Sequence, residues 1–148
     1  MSKTLSFRGQ LPIGLQDQIR LKTLKGKTGY KITKFQIMSN SPGATGSTEF
    51  ICKIFNKTQS SVSTAVDFTD SELLAVAYQS DHVDSAYPVS ETIVFDNAMF
   101  NQDIFVSVAD AGGATVPCNY YIELEAMAIT DLQATQLTLQ SLRNLHSR

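Results

Sequence analysis

The sequence predicts an all-β fold, a jelly-roll-like β-sandwich of about eight strands that ends in a C-terminal α-helix. Runs rich in β-branched and aromatic residues recur through the first 129 positions, and loops containing Gly and Pro separate them. After Ile129 the spacing of apolar residues changes to a helical one. We therefore expect a sandwich domain over residues 1–129 and an amphipathic helix or tail over residues 130–148.

The length agrees with one sandwich domain. A chain of 148 residues and 16.2 kDa buries roughly two-thirds of its unfolded surface, so it needs neither a metal nor a disulfide to fold. Eight segments have strand character. For the fifth segment the alternative to a strand is one helical turn that begins at residues 67–70 and runs into it. A two-sheet sandwich accommodates such a series, and a jelly roll is the common eight-strand form. The predicted strands are 4–8, 18–24, 30–39, 48–56, 73–78, 92–95, 104–108 and 119–127.

The last two predicted strands are expected to form a hairpin. They flank a loop with Gly112 and Gly113, which tolerate the positive φ of tight turns. In both strands apolar side chains occupy one parity, so one face of the hairpin should lie against a core. Alternation in the third strand, 30–39, groups Ile32 with Lys34 and Gln36.

The C-terminal helix begins with a capping signal. Thr130 and Gln133 have the spacing of a capping box, and Arg143 lies near the negative end of the helix dipole. Leu132, Leu139 and Leu142 share one stripe. This stripe either packs on its own sandwich or docks on a neighbouring subunit, and for the second reading we select Leu139, Leu142 and Arg143 as interface candidates.

Charge is strongly polarised along the chain. Residues 1–57 carry ten basic and two acidic groups, a balance of +8, whereas residues 58–131 carry twelve acidic groups and no basic one. Opposite charges either pair across strands within one subunit, or a basic patch meets the acidic patch of a neighbour and closes a ring or trimer. Nucleic-acid binding is a weak third reading, since the whole chain is acidic. The candidate interface cations are Lys25, Lys27, Lys31 and Lys34.

The two cysteines, Cys52 and Cys118, share the parity of apolar neighbours. Buried thiols are the expected state, with a disulfide and a metal role as the alternatives. No histidine or second cysteine lies at ligand spacing from either residue.

No motif for a reaction is present, so we expect neither an enzyme nor a cofactor. The chain has two histidines, and the cluster at positions 81–84, Asp-His-Val-Asp, is most simply a solvated turn. Glu123 and Glu125 lie two apart on one strand face, where solvent explains them. No apolar run is long enough for a membrane span, and the N-terminus lacks a signal-peptide core, so we expect synthesis in the cytoplasm.

Four stretches carry a family resemblance: MSKTLSFRGQLP, GYKITKFQIMS, the block from FDNAMFNQDIFVSVAD to NYYIELEAM, and LQSLRNLHSR. Together they resemble small virion structural proteins of marine tailed bacteriophages, especially those that infect cyanobacteria. The resemblance implies a non-catalytic subunit located in the virion after synthesis in the bacterial host. The resemblance implies that the chain is a capsid decoration or cement protein bound to the major capsid protein, or a head-tail accessory protein.

A second function class stays open, a carbohydrate-binding β-sandwich for glycans of the host surface. Sugar rings commonly stack on exposed aromatic side chains. The chain has no Trp, but Tyr78, Tyr87 and Tyr121 are available for this role.

Overall fold

The computed structural model of the chain describes residues 2–21, 27–41, 48–81, 89–95, 99–112 and 116–146. These residues form nine strands and one helix. The elements are β1 (Ser2–Leu11), β2 (Gln16–Ile19), β3 (Thr28–Ser39), β4 (Thr48–Phe55), β5 (Leu73–Asp81), β6 (Val89–Val94), β7 (Met99–Phe100), β8 (Ile104–Asp110), β9 (Cys118–Ala128) and α1 (Asp131–His146).

The strands form two antiparallel sheets packed as a sandwich, as the sequence predicts. Sheet 1 has the order β1-β9-β3-β7 and sheet 2 the order β2-β8-β4-β5-β6. The pairing is nested: β1 pairs with β9, β2 with β8, β3 with β7 and β4 with β5. Within the sheets, β9 also pairs with β3 and β8 also pairs with β4. The remaining strand, β6, extends sheet 2 beside β5.

The eight predicted strand segments are all present, and the fifth is a strand rather than a helical turn. For the second, β2 begins at Gln16, before the predicted start, and ends at Ile19. Positions 22–24 of that prediction lie outside the described residues. The two-residue β7 was not predicted, since so short a run has no measurable alternation.

The core lies between the two sheets. Each sheet contributes the inward-facing parity of its strands, as expected for face-to-face packing. The largest side chains that are fully buried there include Phe35, Phe50, Ile54, Ile104, Ile122 and Leu124.

The predicted hairpin between β8 and β9 is wrong. β8 lies in sheet 2 between β2 and β4, whereas β9 lies in sheet 1 between β1 and β3. Both strands do turn their apolar parity inward, with Val106 and Ile122 fully buried. An alternating pattern is the same whether two strands lie side by side or face each other across a core, so it does not identify the partner. Gly113 of the connecting loop lies outside the described residues.

A bulge in β3 changes the face on which its residues lie. The register against β9 shifts between Ile32 and Lys34, with Thr33 as the extra residue. Ile32 and Phe35 are therefore both buried, and Lys34 and Gln36 are exposed. Strict alternation placed Ile32 with Lys34 and Gln36, and the bulge overturns that grouping.

The outer faces of the two sheets differ. The segment 57–72 covers sheet 2, where the Lys53 ammonium donates a 2.6 Å hydrogen bond to the carbonyl oxygen of Ala65. Lys53 and its cross-strand neighbour Ser107 are consequently buried, and burial lowers the pKa of Lys53. In sheet 1 the outward side chains of β1 are instead exposed, so they are accessible to a ligand.

The predicted capping box at the start of α1 is confirmed. The backbone N–H of Gln133 donates to Thr130 Oγ1 at 3.2 Å, and the backbone N–H of Thr130 donates to Gln133 Oε1 at 3.0 Å. The helix then contacts the sandwich through Asn101, whose side-chain amide donates to the carbonyl oxygen of Ala134 at 3.4 Å and to Thr138 Oγ1 at 3.2 Å.

Candidate functional site

A groove of about 770 Å³ is lined by residues of three strands of sheet 1 and by two residues of β6, at the edge of sheet 2. We call it the sheet-1 groove. Its lining residues are Arg8, Gly9, Gln10, Gln36, Ile37, Met38, Ser90, Thr92, Asn119, Tyr120 and Tyr121.

Strand register arranges the outward side chains of the groove in two rows across the sheet. In the first row, Tyr121 of β9 lies between Arg8 of β1 and Gln36 of β3. Side chains directly opposite each other on one sheet face lie close enough to contact the same ligand.

The second row runs parallel to the first. Asn119 lies between Gln10 and Met38. The Gln10 amide donates a 2.9 Å hydrogen bond to Asn119 Oδ1, which orients both amide groups. Met38 is 56% exposed and adds an apolar surface beside them.

The phenol of Tyr121 is held in place by a carboxylate. Its hydroxyl donates a 2.8 Å hydrogen bond to Glu123 Oε2, two residues along the same face of β9. This hydrogen bond to a carboxylate raises the pKa of Tyr121. The same hydrogen bond restricts the position of the Tyr121 ring in the groove.

The base of the groove depends on a glycine. Gly9 lies directly opposite Tyr120 in the β1–β9 ladder, and the tyrosine ring occupies the space where a side chain at position 9 would lie. The Tyr120 hydroxyl donates a 3.0 Å hydrogen bond to Asp17 Oδ2 of β2. Burial, with this hydrogen bond, raises the pKa of Tyr120 well above its usual range.

The groove has the chemistry to bind a hydroxylated ligand. Three side-chain amides present donors and acceptors, β6 adds two hydroxyl groups, and Arg8 adds a cation. Planar amides and a guanidinium make paired hydrogen bonds with neighbouring hydroxyl groups, and an aromatic ring offers a stacking surface. Tyr121 was among the tyrosines that the sequence suggested for such stacking. Tyr87 lies outside the described residues, and Tyr78 is on β5 in sheet 2.

The predicted interface cations are distributed along β3 and the residues before it. Lys31 lies opposite Glu125, and Lys34 opposite Glu123, in the β3–β9 ladder. These positions agree with the reading in which opposite charges meet across strands of one subunit. Lys27 is exposed, and Lys25 lies outside the described residues.

Two members of the predicted stripe on α1, Leu132 and Leu139, lie on the solvent side of the helix. Leu132 is 68% exposed and Leu139 is 55% exposed, whereas Ala134, on the side nearer Asn101, is buried. For Leu142 and Arg143 the side chains lie outside the described residues. The helix thus contacts its own sandwich by one face and presents apolar side chains on another.

The acidic candidates of the sequence are located only in part. Of the cluster at 81–84, positions 82–84 lie outside the described residues, and Glu123 accepts a hydrogen bond from Tyr121. Groups of three or more His, Cys, Asp or Glu side chains with metal-binding geometry do not occur among the described residues. None of the described helical residues belongs to a helix long and apolar enough to cross a membrane.

Most of the groove residues were not singled out by the sequence. They lie on four strands far apart in the chain, and those of sheet 1 become neighbours through the order β1-β9-β3. The available signal was the outward parity of each strand, which would locate the site only once the strand order was known.

No family model matches the chain, and no curated protein matches it either.

Proposed function

We propose that the chain is a non-enzymatic structural subunit of a bacteriophage particle, a capsid decoration or cement protein or a head-tail accessory protein, with a jelly-roll topology. Four nested ladders within a two-sheet sandwich support the topology, since a jelly roll is a rolled-up antiparallel hairpin and recurs in viral capsid domains. The resemblance of the four sequence stretches supports the place in the virion.

The observation that carries this proposal is the two-sided helix α1. One side is joined to the sandwich through Asn101, and the opposite stripe holds Leu132 and Leu139 in solvent. Apolar side chains at this spacing on a terminal helix suit a groove on a partner protein, where i and i+7 positions act as anchors. The partner we propose is another virion protein, such as the major capsid protein, with copies of the chain arranged as a ring or trimer.

The experiment is a particle-binding assay with helix variants. Purified chain is sedimented with particles of its parent phage that lack it, and wild type is compared with a chain shortened by residues 131–148 and with Leu132→Glu/Leu139→Glu. We expect both variants to lose binding while their far-ultraviolet circular dichroism keeps its β signal. Gln136→Glu, at an exposed polar position of the same helix, is the control that should bind normally.

Two results would contradict the proposal. Loss of the β signal on truncation would make the helix part of the folding unit, and normal particle binding by the double glutamate variant would remove the leucine stripe as the contact. Native mass spectrometry of the free chain gives the oligomer number directly.

A second candidate function, carbohydrate binding for host-surface glycans, is supported by the sheet-1 groove. A row of amides beside an anchored tyrosine is the combination that sugar hydroxyls and a sugar ring would use. A glycan array, followed by calorimetric titration of any glycan retained, tests this function.

Variants at the sheet-1 groove distinguish specific glycan binding in the groove from nonspecific adhesion of the protein to the array. Tyr121→Ala and Gln36→Ala should each lower the affinity at least about tenfold, as for loss of one good contact in a small site. Thr4→Ala, outward on β1 but outside the groove, should leave the affinity unchanged. If the array retains no glycan, or if all three variants bind with equal affinity, carbohydrate binding by the groove is rejected. Neither result affects the proposal tested by the helix variants.

A further inference from the structure

Two thiols face each other across the core of the sandwich. Cys52 lies on β4 of sheet 2 and Cys118 on β9 of sheet 1, and their sulfur atoms are 3.8 Å apart. Both side chains are fully buried, and both are free thiols. A sulfur pair at this distance is in van der Waals contact, and the two atoms must approach by roughly 1.8 Å to form a bond of about 2.05 Å.

The two cysteines lie on inner strands of their sheets. Cys52 has β8 and β5 on either side, and Cys118, at the start of β9, pairs with Leu11 of β1 and Ser39 of β3. A bond between them would therefore tie the two sheets together through their inner strands. Inter-sheet disulfides of this kind stabilise other β-sandwiches, as in immunoglobulin domains.

The two thiols differ in acidity because they interact with each other. A hydrogen bond from Cys52 lowers the pKa of Cys118, and the same contact, with burial, raises the pKa of Cys52. Cys118 is thus the thiol that more readily becomes the attacking thiolate.

We propose that Cys52 and Cys118 are an oxidation site that links the two sheets by a disulfide when the chain meets a small disulfide oxidant such as oxidised glutathione. The Cys118 thiolate attacks one sulfur of the oxidant, which breaks the oxidant's S–S bond, forms a mixed disulfide between Cys118 and one glutathione, and releases the other glutathione as a thiolate. Cys52 loses its proton to solvent and attacks the Cys118 sulfur, which expels the second glutathione. Two protein thiols are oxidised and one oxidant disulfide is reduced to two thiols.

This proposal is independent of the particle function. In a reducing cytoplasm the pair stays as thiols, and a chain that folds or opens under oxidising conditions, where the oxidant reaches both sulfur atoms, forms the bridge. The bridged residues are 66 apart in sequence, so the link closes a long loop in the unfolded chain. Closure of such a loop should raise the melting temperature by on the order of 10 °C.

The test compares oxidised and reduced protein by intact mass and by melting. The full chain is unfolded, then refolded in a buffer of oxidised and reduced glutathione, which gives the oxidant access to both thiols. We expect a monomer about 2 Da lighter than the reduced chain, with no titratable thiol and a higher melting temperature that dithiothreitol reverses.

Single-cysteine variants provide the control. Cys52→Ala and Cys118→Ala cannot form the bridge, so each should gain at most one glutathione of about 305 Da and show no rise in melting temperature. Folded wild type that keeps two free thiols, or that carries glutathione on either cysteine without a bridge, would overturn the proposal. A bridge that forms and lowers the melting temperature would overturn the claim that it stabilises the sandwich.

Discussion

Gly9 and Tyr120 occupy one position of the β1–β9 ladder that has room for a single side chain. A Cβ atom at position 9 would lie 2.6 Å from the Tyr120 hydroxyl oxygen and 2.7 Å from the ring carbon that bears it. The tyrosine ring is part of the rigid core, so neither partner can move away cheaply. The absence of a side chain at Gly9 is therefore what allows Tyr120 to reach Asp17 on β2.

Gly9→Ala should destabilise the sandwich by about 1–3 kcal/mol, the usual cost of overpacking. The measurement is the free energy of unfolding in urea. In a Tyr120→Leu background the ring is gone, and the same Gly9→Ala change should become neutral or stabilising, because Ala restricts the unfolded chain more than Gly does. An equal cost in both backgrounds would show that the backbone, rather than the ring, requires glycine.

The two faces of β9 should respond very differently to substitution. Ile122 is fully buried, so Ile122→Asp would place an unpaired carboxylate in the core and prevent folding. Glu123 faces outward and accepts one hydrogen bond from Tyr121, so Glu123→Ala should cost well under ~1 kcal/mol. Circular dichroism and urea unfolding of both variants check this contrast, and similar effects would mean that the faces are reversed.

Stability should fall at alkaline pH through Tyr120. Burial and the hydrogen bond to Asp17 raise its pKa in the folded state above the ordinary value of about 10. The folded state then holds a proton that the unfolded state releases, so the stabilisation is present below about pH 10 and is lost as the pH rises above it.

Tyr120→Phe isolates this effect. The variant should lose less stability than wild type between about pH 9.5 and pH 11, although it starts from a lower value at pH 8 because Asp17 loses its donor. Burial also raises the pKa of Tyr30. Because Tyr30 is present in both proteins, it contributes the same slope to both curves of stability against pH. Urea unfolding across this range measures the difference, and parallel curves would exclude Tyr120 as the titrating group.

Local features of the fold were predictable, and relations between distant strands were not. Alternation located β8 and β9 and their inward faces, and the spacing of Thr130 and Gln133 located the start of α1, because each signal lies within a few residues. The pairing partner of β8 depends on the order of the strands in the two sheets, which no local pattern contains. The bulge at Thr33 and the groove at Tyr121 fall in the same class, since both depend on the register of β9 with strands at the other end of the chain.

Lys31 and Lys34 should contribute to the stability of their own subunit. They lie opposite Glu125 and Glu123, so Lys31→Glu/Lys34→Glu would bring like charges together across the ladder. The cost should be below ~1 kcal/mol for each pair, because exposed charges are screened by solvent. Adding Glu123→Lys/Glu125→Lys should recover most of the loss in the free energy of unfolding, and a further loss in the quadruple variant would contradict cross-strand pairing.

The other two candidate interface cations, Lys25 and Lys27, are the ones we expect to meet the acidic region, residues 58–131, of a neighbouring subunit. Residues 58–131 carry twelve acidic groups and no basic one, so a head-to-tail contact with the basic region would be electrostatically favourable.

Exposed charge contacts weaken as salt rises, since the Debye length falls from about 10 Å at 0.1 M to about 3 Å at 1 M. Association of wild type should therefore loosen at high salt, and Lys25→Glu/Lys27→Glu should loosen it already at low salt. Sedimentation velocity of this variant beside Lys31→Glu/Lys34→Glu, at both salt concentrations, distinguishes an intersubunit role from an intrasubunit one. An oligomer that is the same size for every variant and salt concentration would remove the electrostatic contact and leave the apolar stripe of α1 as the proposed means of assembly.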